Sequence, residues 1–361
     1  MNLKSVGKII KSIIAKRNPL LDQRLIHIVS ENKTIIIKAT SGSAVLSINT
    51  GIKVEENSFG YLDPDSICGM SNYYPDMSCI SFIKNGIKFI NPIESSFKSG
   101  NAYYISKSEL EGNFYEGLIQ SNGSMKEIYN DKIDLDAIKK LSHSSKCTDV
   151  FGYSRMCAAI NNHLYTFRHT SMSRISFCIK DEAYFDYKDI AAIQYFDPEN
   201  SIKIESDKRS IILSQDNISL CIIKRKPKKN YAKSFEKSFS GKNSMIITTS
   251  RKDFKEKLVQ IKRICKNADC KIKIKDSSIE LEAVYGSGRA KQETPSYSSV
   301  KIKTPITCKT SIDLLLDFIR CGKSESVEID VVTILPFNNY LKLRDDKIEE
   351  LIALRNDGKL A

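Results

Sequence analysis

The chain has 361 residues, enough for two or three domains, and its 41% hydrophobic and 27% charged residues are an ordinary balance for a soluble globular protein. A formal net charge of +13 points to a polyanionic partner, nucleic acid before a membrane surface. No apolar run reaches the roughly 18 residues that a bilayer-spanning helix needs. The segment from Met1 to Arg17 lacks the continuous apolar core and cleavage site of a secretory signal.

In that first segment Val6, Ile9, Ile10, Ile13 and Ile14 recur at helical spacing and predict an amphipathic helix that ends before Pro19. Leu25–Ile28 and Thr34–Ile37 then read as two strands joined through Glu31-Asn32. Ile67, Met70 and Tyr73 mark one flank of a second helix. An alternating hairpin follows at Ile80–Ile90, with Asn85-Gly86 supplying type I′ turn chemistry.

The same series then returns twice. Leu135, Ile138 and Leu141 form the next helical stripe, followed by strands at Met156–Ile160 and Leu164–Phe167 joined by Asn161-Asn162. Phe254, Leu258, Ile261 and Cys265 form the third, with Ser250 and Asp253 as capping residues and strands at Lys271–Ile274 and Ile279–Glu282. The second-helix triplet recurs as Ile190, Ile193 and Phe196, and again as Ile312, Leu315 and Phe318. Alternating strands follow at Ile202–Ile204 and Val327–Ile329. A period of about 120 residues is far longer than a solenoid unit, so each repeat is a whole α+β module. Linkers are expected near Glu116–Lys132 and in the Lys- and Ser-rich Lys224–Asn243.

Little in the sequence supports catalysis. Ten cysteines stand singly without a CxxC pair, which argues against a zinc site and fits a reducing cytoplasm. Cys147 lies four residues after His143 but lacks an orienting third group. Gly286-Ser287-Gly288 lacks the strand–helix context of a dinucleotide loop, and no carboxylate pair stands out for metal-dependent nuclease chemistry. The expectation is a non-enzyme with no cofactor or metal.

At this point the chain resembles the bacterial-type β sliding clamp, the DNA polymerase processivity ring, along nearly its whole length. Phe167 to Ile175 (FRHTSMSRI) is similar to that family's A-T-D-G-x-R-L segment, with echoes at Lys38–Gly42 and Glu282–Gly286. Val332-Thr333-Ile334-Leu335-Pro336 resembles its closing strand with Met-Pro. There are departures. Ser171-Met172 replaces the Asp-Gly, the basic run Lys224–Lys229 stands where the family has Gly-x-x-Pro, and the chain continues well past Pro336. With the basic, Lys/Ile/Asn-rich composition, these fit a divergent viral or phage member, which would act in the host cytoplasm.

The resemblance implies an α+β fold of three tandem DNA-clamp domains, each with two helices on antiparallel sheet, at residues 1–118, 119–240 and 241–340. Residues 341–361 would be a C-terminal helical tail, from Ile348, Leu351, Ile352 and Arg355 at helical spacing. It also implies a head-to-tail homodimeric ring around double-stranded DNA, with no membrane role. The expected DNA-facing cations on the helices are Lys4, Lys8, Lys11, Lys16, Lys139, Lys140, Lys188, Arg251, Lys255, Lys262, Lys266, Lys309, Arg320 and Lys323. Phosphate contacts of this kind are blind to sequence, which suits sliding. DNA polymerase and clamp loader would dock short peptide motifs in a groove between the second and third domains, built by Thr170, Met172, Arg174, Ile175, Ile334, Leu335 and Pro336. The rival is a non-ring nucleic-acid-binding or structural protein made of the same modules.

Overall fold

A computed structural model describes residues 3–14, 26–55, 59–62, 65, 80–83, 86–90, 102–106, 125–144, 156–167, 170–225, 232–240, 246–266, 268–333 and 339–354. The first module supplies α1 (Leu3–Ile13), β1 (Ile26–Glu31), β2 (Thr34–Thr40), β3 (Ala44–Lys53), β4 (Phe59–Leu62), β5 (Ile80–Ile83), β6 (Gly86–Ile90) and β7 (Ala102–Ser106). The second opens with β8 (Lys126–Asp131), α2 (Leu135–Ser144), β9 (Met156–Ile160), β10 (His163–Phe167), β11 (Ser171–Ser176) and β12 (Ala183–Asp186). It continues with α3 (Tyr187–Ala191), a 3-10 turn (Ala192–Tyr195), β13 (Ile202–Ser206), β14 (Ser210–Gln215) and β15 (Ile218–Ile223). α4 (Ala232–Phe239) ends the second, and the third contains β16 (Ile247–Ser250), α5 (Arg251–Ile264), β17 (Asp269–Ile274), β18 (Ser278–Tyr285), β19 (Gly288–Ser298) and β20 (Ile306–Ser311). It closes with α6 (Ile312–Cys321), β21 (Ser326–Thr333), β22 (Asn339–Arg344) and β23 (Ile348–Ala353).

Local chemistry accounts for these elements. The predicted stripes are buried: Val6, Ile9, Ile10 and Ile13 on α1, Ile138 and Leu141 on α2, and Phe254, Leu258 and Ile261 on α5. Ile190, Ile193 and Phe196 are likewise buried, as are Ile312, Leu315 and Phe318; the first triplet, at residues 67–73, lies outside the described residues. The two-residue turns β1–β2 and β9–β10 place Asn32, Lys33, Asn161 and Asn162 at positive φ, the backbone that a type I′ hairpin requires. The Ser250 side chain accepts from the Asp253 backbone N–H and caps α5, as the sequence predicts. No helix among the described residues is long and apolar enough to cross a membrane.

The chain forms two compact units: Met1–Leu135 with Lys188–Arg225, and Asp136–Tyr187 with Lys226–Ala361. In the first, a sheet runs β4-β1-β2-β3-β15-β14-β13-β8, and α1 packs on β2, β3 and the 3-10 turn. β5, β6 and β7 form a separate three-stranded sheet. In the second, a sheet runs β12-β9-β10-β11-β23-β22-β21-β16-β19-β18-β17-β20, with α5 packed on β16, β18, β19, β21 and α6.

Sequence module and compact unit are therefore offset by half a module. The last strand of one module's first half pairs with the last strand of the next module's second half. β3 pairs antiparallel with β15, Leu46 opposite Leu220, and β11 pairs with β23, Arg174 opposite Glu349.

Two expectations change. The tail is not a helix: residues 348–353 are β23, the strand that completes the joint with β11. Its apolar spacing satisfies both periods, because Ile348, Glu350 and Ile352 are buried on one face while Leu351 is buried on the other. The expected linkers also hold structure, since Lys126–Asp131 is strand β8 and Ala232–Phe239 is helix α4.

Candidate nucleic-acid and partner surfaces

The basic residues separate into exposed, paired and buried groups. On α1, Lys8 and Lys11 are exposed, and Lys11 reaches Asp65 at 3.2 Å. Lys139, Lys188, Lys255, Lys266, Arg320 and Lys323 are also exposed, with Lys323 ion-paired to Asp136 on α2 at 2.7 Å. Lys262 and Lys309 are half-buried, and Lys262 is paired with Asp313 on α6. Lys4 lies on α1, and Lys16 lies outside the described residues.

Two expected DNA contacts point the other way. Arg251 is buried; it donates to the Ile319 carbonyl at 2.8 Å and the Ser324 carbonyl at 2.6 Å, and meets Asp345 at 2.9 Å. Gly322 makes room for it, since a Cβ there would collide with the guanidinium. Lys140 is buried as well, 3.8 Å from Asp345 and 3.6 Å from Asp346. Both are structural cations, because a buried charge needs its counter-ion at hand. Burial works to raise the Asp345 carboxyl, but hydrogen bonds from Asp346 and Ser324 and the Arg251 charge bring it down to about 2. The hydrogen bond with Asp345 holds Asp346 above its ordinary value.

Above Arg251, a shallow groove between α5 and α6 is lined by Lys252, Lys255, Arg263 and Arg320 among others. Lys252 and Arg263 are not among the predicted contacts. Their signal is present, since 252, 255, 259 and 263 follow i, i+3, i+7, i+11 along one helix face. Glu256 and Glu325 also line the groove, so the four cations leave it a net positive charge that can attract a phosphodiester backbone.

The predicted partner residues divide between the two faces of the second unit's sheet, as strand alternation requires. Met172 and Arg174 face outward, while Ile175 is buried opposite Ile348 on the inner face and belongs to the core. Thr170 is exposed and its carbonyl accepts from the Ala353 N–H at 2.8 Å; Ile334, Leu335 and Pro336 lie outside the described residues. What completes the outer face is β23 with α4. Ala158, Ile160, Tyr165, Tyr184, Phe239 and Leu351 form a buried apolar cluster, with Phe167, Met172 and Tyr340 packed against it.

A chain of charges crosses the same face. Arg174 Nε donates to Glu349 at 2.5 Å, Arg344 donates to Glu349 at 2.7 Å, and Arg344 reaches Glu328 at 3.2 Å. Burial tends to raise the Glu349 carboxyl, but Arg174, Lys342 and Arg344 together hold it below the usual range. Burial lowers the Lys342 ammonium, which donates to the Phe239 carbonyl at 3.2 Å. The outer face thus combines a buried apolar cluster with fixed charges at its border.

No protein-family model matches the sequence, and no curated protein does. Solved structures do. The chain superposes on a DNA polymerase sliding clamp from Pseudomonas aeruginosa with TM-score 0.74 and 11% identity, covering 99% of this chain and 98% of that one. It matches the DNA polymerase III β subunit of Thermotoga maritima with TM-score 0.73 and 12% identity, covering 99% and 97%. Caulobacter crescentus pol III β gives 0.74 and 10%, covering 99% of each. This chain has the fold of those clamps from end to end, so residues 339–354 are part of the shared fold rather than an appendage.

Proposed function

We propose that this protein is a sliding clamp: a non-enzymatic ring of two chains that encircles duplex DNA and tethers a polymerase for processive synthesis. The observation that carries the reading is the pair of strand edges left over by the half-module offset. Each module's third strand pairs with the third strand of the next module's second half, as β3 does with β15 and β11 with β23. By that rule β19 needs a partner from a fourth module, and β7 needs one from a module before the first.

Among the described residues, no strand pairs with the edge of β19 opposite β18 over residues 288–295, and β7 pairs only with β6. A second copy supplies both missing neighbours, joining β7 of one chain to β19 of the other, twice. Six modules then close with both of these edges covered, which is how closed assemblies remove strands open to aggregation. Ile264, Val284 and Tyr285 are more than half exposed beside the start of β19, and supply apolar area for that contact.

DNA would be held by the exposed cations Lys8, Lys139, Lys188, Lys252, Lys255, Arg263 and Arg320 on the helices, with Lys266 and Lys323 just beyond their ends. Polymerase and loader peptides would dock on the outer face around Met172, Arg174, Tyr340 and Leu351. The decisive experiment is topological. Chains assembled on nicked circular DNA should remain bound through gel filtration in high salt and be lost once the circle is cut. Equal retention before and after cutting would indicate ordinary nucleic-acid binding instead. Reversing Lys8, Lys252, Lys255, Arg263 and Arg320 together should abolish retention on circles without changing the melting temperature.

A further inference from the structure

The helix faces of the second unit carry cations of two kinds. Lys252, Lys255 and Arg263 on α5 and Arg320 on α6 border the open groove and form no ion pair among the described residues. Lys262 and Lys323 are each held by a carboxylate from a different helix. Lys262 on α5 pairs with Asp313 in the first turn of α6. Lys323, just past the end of α6, donates to Asp136 in the first turn of α2 at 2.7 Å. Both pairs bridge a gap between helices. Asp136 and Lys323 are exposed, and Asp313 and Lys262 are half-buried. The hydrogen bond from Lys323 holds the Asp136 carboxyl below its ordinary value, so it is ionised at neutral pH.

Stability does not account for this pairing. Ion pairs so open to water contribute little to a fold, because they are screened and the lysine gives up rotamer freedom. The buried stripes of α2, α5 and α6 hold these helices instead. What a neighbouring carboxylate does change is how a lysine answers another anion. A lysine that neutralises a DNA phosphate releases a condensed counterion, which drives binding. When its aspartate already neutralises it, the exchange gains little, because the acid is then left without its cation.

We propose that Asp136 and Asp313 compete with DNA phosphates for Lys323 and Lys262, weakening the hold on duplex DNA at the gaps between helices while the unpaired groove cations maintain it. This rests on the helix faces being the DNA surface, and deepens that reading by separating the cations that grip from those that let go. A lysine leaving one phosphate returns to its own carboxylate, so the step to the next phosphate costs little and no register is favoured.

The experiment is equilibrium binding of the full chain to a short fluorescein-labelled duplex, followed by anisotropy across a salt series. Asp136→Asn and Asp313→Asn each free one cation, and each should steepen the dependence of log affinity on log salt by about 1. Together they should tighten binding about tenfold or more at low salt. Asp253, the exposed first-turn acid of α5, forms no ion pair among the described residues. Asp253→Asn therefore removes the same charge from a helix start without freeing a lysine, and should leave the slope unchanged. Lys323→Ala should alter affinity little in the unaltered protein and cancel the gain in the Asp136→Asn protein.

A slope for the Asp136→Asn, Asp313→Asn protein equal to that of Asp253→Asn would overturn the competition. Reversing Lys252, Lys255, Arg263 and Arg320 separates the two readings. If that leaves duplex binding unmoved, the helix faces are not the DNA surface and the competition falls with them. If it abolishes binding while the paired aspartates behave like Asp253, only the competition fails.

Discussion

The two joints between modules share a backbone plan and differ in what covers them. Where β3 meets β15, the outward pairs are Ser47 with Ser219 and Val45 with Cys221, small side chains that carry no charge. Where β11 meets β23, the outward pairs are Arg174 with Glu349 and Met172 with Leu351, lying under Phe239. The first joint is fixed instead at its rim, where Asp189 on α3 accepts from Ser41 and Ser43 at 2.6 Å each. At the first joint, strand pairing is backed by buried Leu46, Ile48, Leu220 and Ile222 on one face and by buried Val45 and Cys221 on the other. The charges and aromatic rings of the second joint are additions on its outward face that the first joint lacks.

Substitutions can sharpen this contrast. The largest effect is expected at the charge network that anchors the β22–β23 turn: Arg251→Ala leaves Asp345 buried without its nearest cation and should destabilise the second unit by about 3–5 kcal/mol in denaturant titration. Leu351→Ala opens the outer-face cluster and should cost about 2–4 kcal/mol, against about 1 kcal/mol or less for Cys221→Ala at the other joint.

Acid should separate the units in the same way. The Asp345 carboxyl has a folded pKa of about 2, below its ordinary 3.8, so its stabilisation is complete above that ordinary value and disappears as pH falls through about 2. Unfolding of the second unit should steepen over that window, and Asp345→Asn should flatten the curve. A double-mutant cycle on Arg174 and Glu349 should return a coupling of about 1–2 kcal/mol, since both are half-buried and hydrogen-bonded. Ser47→Ala should change stability by no more than about 0.5 kcal/mol. A large effect there would mean that the plain joint also depends on its outer face.

Much of this architecture is legible in the sequence because burial imposes periods. The stripes Ile9-Ile10-Ile13 and Phe254-Leu258-Ile261 can belong only to helices with one buried face, and Asn161-Asn162 between alternating runs can belong only to a tight hairpin. What escaped depends on contacts distant in sequence. Arg251 looks like its exposed neighbours, and only the end of α6 with Gly322 draws it inward. Ile348–Ala353 fits either period until β11 is beside it. Ala232–Phe239 reads as a Lys- and Ser-rich linker, although Phe235 and Phe239 at i, i+4 hint at a helix. The charge ladder required residues from β11, β21, β22 and β23 together, which no local pattern contains.

The half-module offset also shapes how the chain is made. Arg174 bonds Glu349 across 175 residues, and Asn217 bonds the Asn49 carbonyl across 168. At roughly 5–20 residues per second, β3 and β11 must each wait about 10–30 s on the ribosome before the strand that covers them exists. For that interval the nascent chain carries an open edge that any extended segment could join. Its hazard is greatest during synthesis, and a host that delays elongation between residues 53 and 218 or between 176 and 348 should lower the yield of folded protein more than one that delays it elsewhere.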